Sequence, residues 1–419
     1  MTALLLVLLL LLLLWLRQPV FVLLGVAAVL AYTVWGDGEA RNLIYDVWNS
    51  SNSEVLVSIP LFILAGGIMS RGAIAARLVE VMRALARPIP GGLALATVLS
   101  CGIFAAISGS SVVTMLAVGS ILYPALLQSG YDRRFALGAL CAGGTLGIII
   151  PPSIPLILYG IATDTSISDL FLAGFGPGLL LLTIFAIYAV WRNRHMPSER
   201  WDGAEILSAL RRGAFALAMP ALILGGIYSG IFTVTEAAAV AVVYALAVEL
   251  LVHREMSLSD LRDVALDTGK LLGGLFVVLA LALSLNMFLT YERVPAELAA
   301  VIQDHVQSKA LFLVATNLLL LLVGCFMDVG SAILVLAPLL TPIAEGFGMS
   351  KVHFGIMMIV NLEIGYLTPP MGLNLIVATT AFREQFGTVC RAVLPWIGLM
   401  LLALVLVALF PAISLFALG

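Results

Sequence analysis

Charged side chains are scarce in this sequence. Of its 419 residues, 11% are charged and 62% are hydrophobic, and a chain of this composition cannot bury its apolar surface in water. Apolar runs long enough to cross a hydrocarbon layer of roughly 30 Å recur from one end to the other. The net charge of -3 provides no basic patch for nucleic acid. The composition therefore predicts a protein of the lipid bilayer without a nucleic-acid partner.

Residues for metal, redox or nucleotide chemistry are also few. Lys270 follows Gly269, but the first glycine of a GxxxxGK phosphate loop is missing. The four histidines fall in or beside predicted loops, and no CxxC spacing joins the four cysteines, Cys101, Cys141, Cys325 and Cys390. We predict no cofactor, no direct use of ATP and no enzymatic activity, because an enzyme would need converging His, Asp or Glu at membrane depth.

The leucine-rich run from Ala3 to Leu16 resembles a signal peptide in length. No basic region precedes it, Arg17 follows it and no A-x-A cleavage site closes it. We therefore interpret it as a retained first span.

Apolar runs predict an all-α polytopic membrane protein. The predicted simple spans are 3–16, 19–35, 55–70, 169–191, 213–229, 234–252, 267–290 and 391–417. The segment 71–90 is too basic to cross and is predicted to lie along the interface.

Two pairs of apolar arms are joined too tightly for a hydrated loop. Arms at 91–107 and 111–127 meet at Ser108-Gly109-Ser110, and a second pair spans 310–326 and 332–345. We interpret both as re-entrant hairpins. Two further helices, 133–163 and 353–382, are predicted to break at Pro151-Pro152 and Pro369-Pro370.

Lysine and arginine positions orient the chain. With the amino terminus outside, the inner side receives all of the 21 basic residues except Arg41, Arg293, Lys309 and Lys351. The positive-inside rule therefore predicts that both termini lie outside.

The sequence also repeats itself at an offset of about 220 residues. Gly102-Ile103-Phe104 corresponds to Gly324-Cys325-Phe326, and the two prolyl pairs are in step. The predicted orientation makes the halves inverted repeats, an arrangement that places a transport site near the midplane. The predicted organisation is N-terminal scaffold 1–70, arm 71–90, first transport repeat 91–190 with hairpin 91–127, central scaffold 191–290, second arm 291–309, and second transport repeat 310–419 with hairpin 310–345.

The breaks supply main-chain carbonyl oxygens, which are ligands that a hard cation such as sodium accepts. The first break, within 143–153, is predicted to lie opposite the hydroxyls of Ser108, Ser110 and Ser111. The second, within 363–371, is predicted to lie opposite Asp328, Gly330 and Ser331. The hairpin-tip helix ends also suit a carboxylate-bearing substrate.

Some polar residues have two readings. Asp328 fits an ion or substrate site, with a hairpin-tip cap as the alternative. Thr233 and Glu236 fit a capping box, so Glu236 is interpreted as structural. Glu363 is ambiguous, and Asn374 is expected either to contact substrate or to bond a neighbouring helix.

These motifs resemble, over nearly the whole chain, the large membrane subunit of tripartite ATP-independent periplasmic (TRAP) transporters. The resemblance is carried by Pro60–Gly66, Ser108–Ser111, Gly147–Pro155, Phe232–Ala239 and Thr368–Gly372. It implies sodium-driven uptake in a bacterial inner membrane by an elevator-type movement of both hairpins and both broken helices. It also implies two partners: a small four-helix membrane subunit and a periplasmic substrate-binding protein.

The resemblance further implies two sodium sites. The first would use Ser108, Ser110, Gly147, Ile150 and Pro152, and the second Asp328, Gly365, Thr368 and Met371. Substrate contacts are expected from polar side chains near the tips and breaks: Ser111, Thr145, Ser153, Asp328 and Asn374. A stand-alone sodium/dicarboxylate symporter of the divalent-anion type is the nearest alternative, and a channel is a more distant one.

Overall fold

The computed structural model describes residues 9, 12, 13, 16, 18–35, 40–306 and 308–418. Within these ranges the chain is helical and has no strand. Nine helical segments of the described part are long and apolar enough to cross a membrane. The predicted all-α polytopic membrane protein is thereby confirmed, while the predicted first span at 3–16 lies outside the described residues apart from isolated positions.

The N-terminal region contains one helix that the sequence did not reveal. Helices α1 (Val20–Leu30, extended by a π-helical turn to Trp35) and α3 (Ser58–Arg71) match the predicted spans at 19–35 and 55–70. Between them lies α2 (Ala40–Ser51). Polar residues interrupt its apolar positions, and Ile44 and Trp48 are each 70% exposed. Its apolar residues Leu43, Ile44, Val47 and Trp48 follow helical spacing, but the helix is too short and too polar to be found as a membrane span.

The first predicted arm and the first predicted transport repeat form a series of helices. The arm is α4 (Ile74–Ala86). The repeat contains the hairpin helices α5 (Gly92–Ser108) and α6 (Ser111–Gln128), the broken pair α7 (Arg133–Ile149) and α8 (Ile154–Thr163), and the long α9 (Ile167–Arg192). Gly109 turns the hairpin with φ +59°, a left-handed conformation that favours glycine. The break falls at Pro151-Pro152, as predicted.

Three long helices follow as the central spans. They are α10 (Gly203–Tyr228), α11 (Val234–Ala247, extended by a π-helical turn to His253) and α12 (Leu258–Tyr291). The predicted capping box opens α11: the Thr233 hydroxyl accepts from the Glu236 N–H at 3.2 Å, and the Glu236 carboxylate accepts from the Thr233 N–H at 2.8 Å. The structural interpretation of Glu236 is confirmed.

The second predicted arm and the second predicted transport repeat follow in the same order. The arm is α13 (Val294–His305). The repeat contains the hairpin helices α14 (Lys309–Gly324) and α15 (Val329–Gly346), the broken pair α16 (Lys351–Gly365) and α17 (Leu373–Ala381), and the final helices α18 (Phe386–Leu409) and α19 (Ala412–Leu415). The second break, 366–372, contains Pro369-Pro370 as predicted and is longer than the first. The peptide bond between the prolines is cis in both breaks.

The first broken helix lies at the centre of the molecule. The protein buries 89% of this helix's most apolar 18-residue stretch, whereas the buried share of the same stretch is at most 56% in the other candidate spans of the described residues. It packs against α18, where a side chain on Gly138 would collide with the ring of Trp396. A span surrounded by protein in this way can carry an interrupted backbone, because its free polar groups do not face lipid.

A buried carboxylate fixes the start of the first arm helix. Glu249, which is fully buried, accepts hydrogen bonds from the backbone N–H groups of Ala73 and Ile74 at 3.0 and 2.9 Å. The first turn of a helix leaves such N–H groups without a partner, and an acidic side chain there also meets the positive end of the helix dipole. Glu249 thus attaches arm helix α4 to the π-helical end of α11.

Replacing Glu249 by alanine is expected to destabilise the protein by about 2–4 kcal/mol, because two buried N–H groups lose their charged acceptor. Thermal unfolding of the purified protein in detergent measures this. Glu255→Ala is the matched control, since Glu255 is more than half exposed in its ion pair with Arg77 and should change stability little. Equal losses in the two variants would contradict the anchoring role of Glu249.

Candidate functional site

One cavity of about 500 Å³ brings both hairpin tips together. The tips contribute Ser108–Val113 and Asp328–Ser331 to its wall. The broken helices contribute Ile154, Pro155 and Leu158 from α8, Tyr366 from the second break, and Leu373 and Val377 from α17. The opposite wall is apolar and comes from α3 and α12: Ile63, Leu271, Gly274, Leu275 and Val278. The site therefore lies between the two repeats and these scaffold helices.

Most residues of the first predicted sodium site lie around the first hairpin tip. The Ser108 hydroxyl bonds the Thr114 hydroxyl at 2.6 Å and the Ser110 carbonyl at 3.2 Å. Gly147 lies so close to the Ser110 carbonyl that a side chain there would overlap it. The Pro152 carbonyl lies beside Gly109, and the Gly109 carbonyl accepts from the Ile154 N–H at 3.4 Å. Tip and break are thus joined through backbone oxygens.

Ile150 ends α7, with its N–H bonded to the Leu146 carbonyl at 2.9 Å. Its side chain packs against Gly178 of α9 rather than against the tip. Any contribution of Ile150 to a cation site would therefore come from its backbone carbonyl.

The second predicted set is only partly joined. Asp328 Oδ1 accepts from the Ser331 N–H at 2.9 Å and caps α15. One of the two carboxylate oxygens therefore has the capping role that was predicted as the alternative. Within the described part of the chain, Oδ2 makes no hydrogen bond. Gly365 packs against the backbone of Gly324. The Thr368 hydroxyl donates to the Ile364 carbonyl at 2.8 Å.

Met371, the remaining member of the second set, is 51% exposed. It does not line the cavity, and neither do Gly365 and Thr368. Their part in a cation site stays a prediction.

The five predicted substrate residues separate into two groups. Ser111 and Asp328 line the cavity. Asn374 is fully buried behind the wall, where its amide nitrogen donates to the Ser111 hydroxyl at 2.6 Å. Thr145 and Ser153 donate to carbonyls of their own segment, Ala142 and Ile148, and line no part of this cavity. Of the five, only Ser111 and Asp328 are placed to touch a solute in this cavity directly.

Two residues at the site were given no role by the sequence analysis. Tyr366 lines the cavity, and its hydroxyl accepts from the Val329 N–H at 3.1 Å, which joins the second break to the second tip. Thr114 binds the Ser108 hydroxyl from inside α6. An aromatic hydroxyl two residues before Thr368-Pro369-Pro370 was the available signal for Tyr366, but its partner lies 37 residues away.

The electrostatics of the cavity suit an anion accompanied by a cation. The amino ends of α6 and α15 both reach the wall, and helix amino ends carry partial positive charge and free N–H groups. Asp328 is the charged side chain of this wall. No three His, Cys, Asp or Glu side chains converge among the described residues. A cation here would bind mainly carbonyl and hydroxyl oxygens, which sodium accepts.

Comparison with known proteins agrees with this geometry. The C4-dicarboxylate TRAP transporter large permease protein DctM of Pseudomonas aeruginosa is 43% identical over 395 residues, covering 94% of this chain and 92% of that protein. The isethionate TRAP transporter permease protein DctMQ of Oleidesulfovibrio alaskensis is 36% identical, covering 96% of this chain and 64% of that longer protein.

Among solved structures, the YdaH transporter of Alcanivorax borkumensis matches with a TM-score of 0.65, covering 88% of this chain and 87% of that one. At 15% identity this likeness shows a shared membrane-transporter fold alone. The family model of the tripartite ATP-independent periplasmic transporter, DctM component, matches residues 7–413. The chain belongs to this DctM family of TRAP transporter large permease subunits.

Proposed function

We propose that this chain carries a small carboxylate-bearing solute into the cell across the bacterial inner membrane, driven by a sodium gradient. One observation carries the proposal: a single cavity is lined by both hairpin tips, by elements of both broken helices and by two scaffold helices. Interrupted helices that meet in this way supply backbone N–H groups for an anion and carbonyl oxygens for a cation.

The contact between the tips and the scaffold supports an elevator mechanism, in which the two repeats move as one body. Gly66 of α3 lies against the backbone of Ser108, where an added Cβ would come within 3.1 Å of the Ser108 carbonyl oxygen. On the other side, Leu275 of α12 faces Gly330. Small residues and apolar side chains form few directional bonds, so this part of the surface can slide at low cost. Sliding would have to break the hydrogen bond from the Asn286 amide nitrogen of α12 to the Ala162 carbonyl of α8. Both hairpins are proposed to be re-entrant, with tips that open to opposite sides.

The sodium sites are proposed at the two tips. The first joins the Ser108 hydroxyl to the backbone of Ser110, Gly147, Ile150 and Pro152. The second centres on the free oxygen of Asp328, with Gly365, Thr368 and Met371 as further donors. A cation beside Asp328 would offset the cost of a carboxylate at membrane depth, and it would add attraction for an anionic solute in the same cavity.

The partners follow from the family and remain part of the proposal. A component of a tripartite transporter requires others, and we propose a separate small membrane subunit of four helices and a periplasmic binding protein that delivers the solute. Both chain termini are proposed to face the periplasm. The relatives named above act on C4-dicarboxylates and on isethionate, and both substrate classes are anionic, in keeping with the helix ends at the cavity.

Uptake into proteoliposomes tests the proposal. With this chain and its small partner reconstituted under an inward sodium gradient, solute should accumulate only when its binding protein is supplied outside. Potassium in place of sodium is the control and should abolish accumulation. Sodium-driven uptake of free solute without binding protein would favour the stand-alone symporter instead.

Asp328→Ser separates ion binding from capping. Serine is also a good N-cap and should preserve the start of α15, but it removes the charge. We expect thermal stability near that of the native protein and a half-activating sodium concentration raised about tenfold, equivalent to about 1.4 kcal/mol.

Asp267→Asn is the matched control for this change, because Asp267 is an exposed partner of Lys270 on α12. Its sodium dependence should equal that of the native protein. If Asp328→Ser also left the sodium dependence of uptake unchanged, Asp328 would be a cap and not a cation ligand.

A further inference from the structure

A second carboxylate is buried more deeply than that of Asp328 and lacks a hydrogen bond of acceptable geometry to the described residues. Glu363 is in α16 with 0% of its surface exposed. Neither of its carboxylate oxygens has a hydrogen-bond partner of acceptable geometry within the described residues. An unpaired charge in such surroundings costs several kcal/mol, so a buried carboxyl group is either protonated or balanced by a bound cation or a partner.

Two further oxygen-bearing side chains lie in the same place. The Ser111 hydroxyl, at the start of α6, lies near enough to the Glu363 carboxylate to interact with it, although the two groups do not form a hydrogen bond of acceptable geometry. It accepts a hydrogen bond from the Asn374 amide nitrogen at 2.6 Å. Asn374 is 0% exposed, and its buried amide oxygen has no hydrogen-bond partner among the described residues. Unsatisfied acceptors thus outnumber donors in this cluster, which we name the Glu363 cluster (Ser111, Glu363 and Asn374).

We propose that the Glu363 cluster is a third sodium site, distinct from the two tip sites. Its donors are the Glu363 carboxylate, the Asn374 amide oxygen and the Ser111 hydroxyl oxygen, which keeps a lone pair after accepting from Asn374. All are hard oxygen ligands, which favour alkali or alkaline-earth ions over copper and zinc. A single carboxylate balances one positive charge, so a monovalent ion leaves the buried site neutral and a divalent ion does not.

The position of the cluster ties the two repeats together. Ser111 belongs to the first hairpin, whereas Glu363 and Asn374 stand on the two halves of the second broken helix. An ion held by all three would hold the first hairpin and both halves of the second broken helix in one arrangement. Ser111 also lines the cavity, so ion and solute would share a residue. This inference rests on the proposed sodium coupling and adds an ion to it.

Binding of radioactive sodium to the purified full-length chain tests the site without any solute. The probe is ²²Na⁺ alone, with choline chloride holding the ionic strength constant. We expect Glu363→Gln to lose one bound sodium ion per chain relative to the native protein. Glu345→Gln is the matched control, because Glu345 forms a partly exposed ion pair with Lys351 outside the cluster, and it should bind as many ions as the native protein.

Asn374→Ala serves as a second variant in case Glu363→Gln fails to fold, which gel filtration and thermal unfolding in choline would reveal. Losing one neutral oxygen ligand should weaken the affinity of the site about tenfold without removing it. Native sodium occupancy and affinity in both variants would overturn the third site and leave Glu363 as a protonated or purely structural acid. A native protein that binds no sodium at all would instead contradict the proposed function.

Discussion

The structure depends on one constraint: a backbone polar group inside a bilayer must find its partner within the protein. The breaks at Pro151-Pro152 and Pro369-Pro370 and the two hairpin tips free such groups at membrane depth. They are tolerated because each tip meets a break. The Gly109 carbonyl accepts from the Ile154 N–H, and the Tyr366 hydroxyl accepts from the Val329 N–H. Elements that would each be costly alone thereby stabilise one another.

This pairing supports the proposal that the two repeats move as one body. Bonds from tip to break lie within each repeat, and the Asn374–Ser111 bond joins the repeats. Around the cavity, in contrast, the contacts with α3 and α12 involve glycines and aliphatic side chains. One hydrogen bond crosses the same boundary elsewhere, from the Asn286 amide nitrogen of α12 to the Ala162 carbonyl of α8 at 3.2 Å. Polar contacts within the repeats and mostly apolar contacts with the scaffold favour sliding over internal rearrangement. The arm helices connect the two bodies, and Glu249 fixes where the first arm begins.

Local signals in the sequence predicted most of the elements. Prolyl pairs located both breaks, glycine and serine located the first tip, and Thr233 with Glu236 located a helix start, because each signal acts within a few residues. The hydrogen bond between Ser111 and Asn374 joins residues 263 positions apart in the sequence. Glu249 lies 176 positions from Ala73, from whose N–H it accepts a hydrogen bond at the start of the arm helix. Such contacts depend on how the repeats interlock, and no local pattern encodes that. Helix α2 was missed for a different reason, since its 12 residues are too few and too polar to be found as a membrane span.

The central claim is that hairpins and broken helices move together against the scaffold, and distances between spin labels test it most directly. After removal of the native cysteines, labels at Gln128 and Gln385 report within the moving body, and labels at Gln128 and Ser259 report between that body and the scaffold. The account predicts that sodium changes the second distance distribution and leaves the first unchanged. A sodium-dependent change within the body, or none between body and scaffold, would contradict it.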